Sequence, residues 1–178
     1  MLNSPSNRLL SLTIVALIFI SSCSPDEVKN KYNGCCAEME KIVSFGQGKV
    51  FIANIFTPNG DGINDVFTIH STGKTSLIDS ITIKDFEGGL LYRNNQNLSK
   101  NFQWNGQNGS QFYYGKISYQ FYTKDSLGNS TWVIGNACSF RCSDSSNFAK
   151  FDKTNCVTTM QFNGVNFEKT IPNGEICF

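Results

Sequence analysis

The chain has 178 residues, with 15 basic and 14 acidic side chains and a net charge of +1 at neutral pH. A balanced charge without any basic run argues against nucleic acid as a partner. Aromatic residues make up 13%, mostly Phe and Tyr, and suit strands better than helices.

At the N-terminus Arg8 precedes an apolar run from Leu9 to Ile20. This run is too short to span a bilayer comfortably and suits the h-region of a signal peptide. It ends in Ile20-Ser21-Ser22-Cys23, which resembles a bacterial lipobox. The resemblance implies removal of residues 1–22, acylation of the Cys23 sulfur, and a membrane partnership through that N-terminal lipid. Several acyl chains on one residue give durable anchoring where a single chain does not. Ser24 fits outer-membrane retention in such lipoproteins, and Asp26 and Glu27 resemble surface-export signals. The expected location is the outer membrane, on its periplasmic or surface side. Loss of the leader removes Arg8, leaves acids and bases in balance, and keeps enough chain for one domain.

Residues 23–48 read as a tether with a cysteine-containing segment. Cys35 and Cys36 adjoin, and Cys138, Cys142, Cys156 and Cys177 follow far downstream. An even number of cysteines beside Cys23 in an exported chain reads as a disulfide set whose connectivity sequence cannot choose. Bonding neighbours would strain the backbone, so at least one bridge is expected to tie the N-terminal segment to the C-terminal one. The competing reading is a zinc site on Cys138-x-x-x-Cys142 with Cys156 and Cys177. Ala37 to Val43 could form a short helical turn.

Lys49 to Phe56 reads as a first strand, turned sharply by Pro58. Gly60 and Gly62 supply positive φ, and Asn59, Asp61 and Asn64 can cap backbone N–H groups. Asn59, Asp61 and Asp65, with the carbonyl of Ile63, also offer hard oxygens around a curved backbone, so Ca2+ is a candidate ligand. An EF-hand is excluded, because its twelfth position counted from Asn59 is His70 rather than a bidentate Glu. The alternative is a self-capped Asx turn that holds no ion.

Ile55-Phe56-Thr57-Pro58-Asn59-Gly60-Asp61-Gly62-Ile63-Asn64-Asp65-Val66-Phe67 resembles the opening of the gliding-motility-associated C-terminal domain of Bacteroidetes. Ile81-Thr82-Ile83, Trp104-Asn105-Gly106 and Tyr113-Tyr114-Gly115 extend the likeness over roughly Val50 to Phe140. That family is an immunoglobulin-like β-sandwich serving type IX secretion, and the resemblance implies the same fold here.

Short strands are expected at Phe67–Ile69, Ile78–Phe86 and Leu90–Arg93, the last two joined through Gly88-Gly89. Phe102–Trp104 follows, with Trp104 as the largest core side chain, and Asn105-Gly106 and Asn108-Gly109 mark turns. Tyr113 to Thr123 places Ile117, Tyr119 and Phe121 inward against Lys116, Ser118 and Gln120. Leu127-Gly128-Asn129 turns into Thr131–Ile134. Such a series predicts an all-β, antiparallel sandwich over residues 49–140, and the family resemblance implies that it is immunoglobulin-like. Residues 141–178 read as a disulfide-containing extension, with a hairpin from Cys156 to Phe162 and Val165 to Ile171 across Asn163-Gly164. The tail departs from the family pattern and counts against a terminal sorting role.

Catalytic patterns are missing from the sequence. His70 stands alone without a nucleophile elbow, and no phosphate loop opens a helix. Tyr113, Tyr114 and Trp132 could stack a sugar. Asp79-Ser80-Ile81 and Asp125-Ser126-Leu127 resemble Bacteroidetes O-glycosylation triplets. The expected function is a non-catalytic, lipid-anchored binding or structural module with an envelope or secretion protein as partner. The rivals are a type IX secretion or gliding accessory and a glycan-binding module.

Overall fold

A computed structural model describes residues 31–37, 41–46, 48–73, 75–96, 100–141, 143 and 156. Four strands form one sheet: β1 (Lys41–Phe45), β2 (Gly48–Ile52), β4 (Phe67–Gly73) and β7 (Asn101–Trp104), in that spatial order. The second sheet runs β3 (Ile55–Phe56), β11 (Ser130–Ser139), β10 (Gly115–Asp125), β5 (Thr75–Asp85) and β6 (Leu90–Asn94). A minor hairpin pairs β8 (Gln107–Asn108) with β9 (Gln111–Phe112). The expected all-β sandwich of immunoglobulin-like type is the observed one, and no helix occurs among the described residues.

Alternation explains the two layers. Along β10 the buried Ile117, Tyr119, Phe121 and Thr123 interleave with Lys116, Ser118, Gln120 and Tyr122. Since strand side chains alternate between faces, one apolar row points inward. It meets Val50 and Ile52 of β2, Phe67 and Ile69 of β4, and Phe102 and Trp104 of β7. Phe67 touches Phe56 and Tyr119 at ring-centroid distances of 6.1 and 5.3 Å. Full burial of each such side chain contributes about 1.5–3 kcal/mol. Trp104 is buried as expected, its indole N–H donating to the Gln107 carbonyl at 3.1 Å.

Three expectations need correction. The single strand from Lys49 to Phe56 is two strands in different sheets. At Ala53-Asn54 the chain crosses over: Ala53 N–H donates to Thr68 in one sheet, and the Asn54 carbonyl accepts from Cys138 in the other. The antiparallel rule has one exception, because β3 runs parallel to β11, with Ile55 opposite Cys138. Of the helical turn expected at Ala37 to Val43, residues 38–40 lie outside the described residues and the rest is not helical. Residues 31–37 are turns and Lys41 to Phe45 is a strand, since Ile42 and Val43 pair with Phe51 and Val50 in a hairpin closed at Gly46. Residues 1–22, Cys23 and the expected hairpin after Cys156 lie outside the described residues.

Two hairpins share one construction that composition alone did not reveal. Asp85 N–H donates to the Gly89 carbonyl and Gly88 N–H to the Asp85 carbonyl; Asp125, Asn129 and Gly128 repeat the same bonds. Each aspartate Oδ1 then accepts two backbone N–H groups, from Glu87 and Gly89 in one case and Leu127 and Asn129 in the other. Gly88 and Gly128 sit at φ +92° and +89°, the left-handed position such a turn requires.

Candidate functional site

The loop between β3 and β4 is the most densely bonded turn among the described residues and lies at one end of the sandwich. Pro58 is buried, and the Tyr114 hydroxyl donates to its carbonyl at 3.3 Å. Thr57 N–H donates to the Asn64 carbonyl at 2.8 Å, closing the loop's neck, and Asn64 takes the left-handed φ of +54°. Asp65 organises the interior. Its Oδ1 accepts N–H groups of Asn59 and Gly60 at 2.9 and 2.7 Å, and its Oδ2 accepts Gly62 N–H at 2.7 Å. Asp61 accepts from Ile63 N–H and the Asn59 carboxamide, at 2.8 and 2.7 Å. Asn59 Oδ1 accepts Asp61 N–H at 3.0 Å.

Every side-chain oxygen of Asn59, Asp61 and Asp65 therefore accepts a bond from the loop itself. The Ile63 carbonyl likewise accepts the Thr57 hydroxyl at 3.4 Å. A calcium ion bound here would share these oxygens with the loop's own N–H groups, since each keeps a further lone pair. As it stands, the donor set forms a self-capped Asx turn. Its chemistry is conformational: charged acceptors satisfy backbone donors that the glycines leave pointing inward.

Beside the loop stands a second, smaller core made of Tyr32, Cys35, Cys36, Ile55, Cys138, Phe140 and Cys156. Two disulfides hold it. Cys35 joins Cys138 with Cα atoms 5.7 Å apart, and Cys36 joins Cys156 at 4.9 Å. The expectation of at least one bridge between the N- and C-terminal segments is met by both. Cys138 and Cys156 are thereby oxidised, which removes the zinc reading. Cys142 and Cys177 lie outside the described residues.

Two neighbouring residues can each reach a separate partner because the chain twists between them. Cys36 adopts φ +55°, and Cys35 N–H donates to the Tyr32 carbonyl at 3.0 Å. Tyr32 packs on Phe140 at 5.0 Å, while the Arg141 guanidinium lies 4.2 Å above the Tyr114 ring. Tyr114 thus links the loop to the disulfide core.

The three aromatic residues expected as one sugar platform are separated. Tyr113 is half-buried, donates its hydroxyl to the Lys116 carbonyl at 3.0 Å, and has its phenol pKa raised by that burial. Trp132 is 55% exposed and leans on Tyr122 at 5.4 Å, six residues along β11 from Cys138, or about 20 Å. His70 sits within β4 opposite Phe51 and Asn101, remote in register from the loop. Of the two serine triplets, Ser80 lies at a bulge with φ +50° and bonds Asp79, whereas Ser126 is exposed at a hairpin tip. The exposed Trp132–Tyr122 pair and the twin aspartate hairpins escaped the sequence reading. The repeated Asp-x-x-Gly spacing was the signal that could have found the hairpins.

With this geometry in place, comparison with known proteins adds a family. Residues 50–134 match the family described as CHU_C Type IX secretion signal domain. Neither a curated protein nor a solved structure matches the chain.

Proposed function

We propose, taking residues 50–134 as a type IX secretion signal domain, that this chain is a non-catalytic, lipid-anchored module of the outer membrane. The family carries a type IX secretion-related role and fits a protein of the cell envelope or surface. Beyond that role, the sandwich serves as a binding or structural body for an envelope or secretion partner. One observation carries this reading. Both disulfides bolt the segment just after the acylation candidate Cys23 to the end of the last strand and the chain beyond it. The end of the body nearest the anchor is thus covalently closed. Such bonds persist only outside the reducing cytosol.

The non-catalytic part is supported by how the acids are used. Asp65, Asp85 and Asp125 each spend their carboxylate on backbone N–H groups of their own turn. His70 is a strand residue in register with Phe51 and Asn101.

Fractionation tests the reading. Wild-type chain should carry acyl label and sediment with outer membranes, and Cys23→Ala should lose the label and become soluble. Unlabelled wild type would overturn the anchor. A second reading, an accessory of type IX secretion or gliding, is favoured by the family match itself. It requires export to fail in cells lacking the type IX translocon, whereas the anchored module is still acylated there.

A further inference from the structure

The outer face of the five-stranded sheet is unlike any other described surface of the molecule. Trp132 and Ile134 are 55% and 61% exposed on β11, and the neighbouring Tyr122 shares their face. Around this apolar strip stand exposed cations from three strands, Lys124 of β10, Lys84 of β5 and Arg93 of β6. Asp79, opposite Tyr122, is the acidic residue among them. A shallow groove of about 140 Å³ separates Lys84 from Ile134, floored by Thr82, Ser118 and Gln120. The outer face of the four-stranded sheet exposes no aromatic ring among the described residues.

Flat faces that combine an indole, an isoleucine and basic side chains match the boundary of a bilayer. Tryptophan and tyrosine rings settle at the headgroup level, and lysine and arginine meet lipid phosphates there. The chain's own entry point says which surface lies opposite. The segment after Lys31 lies on this side of the sheet: a Cβ on Gly34 would meet the Lys116 ammonium, and Cys35 crosses to Cys138, whose side chain shares the face of Ile134. Between Cys23 and Lys31 only residues 24–30 intervene, and the eight steps from one to the other reach at most about 29 Å. A tether that enters beside Cys138 favours this face as the one turned to the membrane.

We propose that the outer face of the five-stranded sheet docks on the bilayer that holds the lipid tether, with anionic phospholipid headgroups as its ligand. The inference rests on the anchored reading above. Its test uses the full mature chain with Cys23→Ser, so that no acyl group contributes. Trp104 is buried, so a change in tryptophan emission on adding vesicles reports Trp132. Vesicles of phosphatidylethanolamine and phosphatidylglycerol should shift that emission to the blue and sediment the protein, and high salt should reverse both. Lys84→Glu with Arg93→Glu should weaken binding by about tenfold or more. Trp132→Ala should abolish the shift.

Equal response to phosphatidylcholine vesicles, or none to anionic ones, overturns the proposal. So does a shift that follows protein concentration without vesicles, which would give the face to a second copy of the chain. Acyl labelling of the native protein separates the two readings. A labelled chain whose face ignores anionic vesicles sinks this inference alone, and an unlabelled chain sinks the anchor on which it stands.

Discussion

Asp125 and Asp85 occupy equivalent places in two hairpins, and Asp125 has one side-chain partner more. Its Oδ2 also accepts the Asn129 carboxamide at 2.9 Å, where Asp85 faces Gly89. That bond, with the N–H groups of Asn129 and Leu127, holds the Asp125 carboxyl below its ordinary value of 3.8. The sign follows from linkage. A depressed folded pKa gives stability that is fully present above the unfolded pKa and is lost as pH falls through the folded one. Thermal melts of wild type should therefore drop below about pH 4, with part of the slope absent in Asp125→Asn. An identical slope in both proteins would refute the assignment. Gly46 makes the same carboxylate matter across sheets. It turns the β1–β2 hairpin at φ +54°, and a Cβ there would run into Asp125 Oδ2. Gly46→Ala should cost about 1–2 kcal/mol from the backbone conformation alone, read as a lowered Tm, with the Asp125 contact adding to it.

Elements show where local pattern sufficed and where it did not. The loop from Thr57 to Asp65 was legible as a turn because proline, glycine and Asx residues act through their own backbone. Whether its oxygens faced an ion or N–H groups depended on three-dimensional aim, which spacing does not carry. If Asp65 is the organiser, Asp65→Ala should cost about 1–3 kcal/mol by stranding the N–H groups of Asn59, Gly60 and Gly62. The melting temperature of wild type should not move when a chelator is added; a fall would restore the calcium site. Strands β5, β10 and β11 were readable from period-two alternation, and Ile117, Tyr119 and Phe121 do point inward. The break at Ala53-Asn54 was hidden because residues on both sides of it are apolar and buried. Strand β1 was hidden for the opposite reason: the residues leading into it favour helix by propensity, and pairing with β2 makes Lys41 to Phe45 a strand. Composition could not place Trp132 either, since an aromatic residue on a strand reads the same whether it faces core or water.

At the scale of the whole molecule, the chain has two cores with different dependences on covalent bonds. The sandwich core includes no residue from 31–37, whereas the smaller core has Tyr32, Cys35 and Cys36 at its centre. The bridges close segments of 103 and 120 residues, for which the loss of unfolded-state entropy is about 4–5 kcal/mol for the first bridge. The second contributes less, because its ends are already held close by the first. Reduction should therefore lower Tm by roughly 10 °C or more in a chain of this size, while the β signature in far-ultraviolet circular dichroism survives below the new midpoint. Cys36→Ser with Cys156→Ser should fall between the oxidised and fully reduced proteins. Limited proteolysis should then cut near Tyr32, since its packing on Phe140 would depend on Cys35–Cys138 alone. An unchanged Tm under reductant would mean that the sandwich ignores its own closure, and the case for a body covalently closed at its anchored end would fall with it.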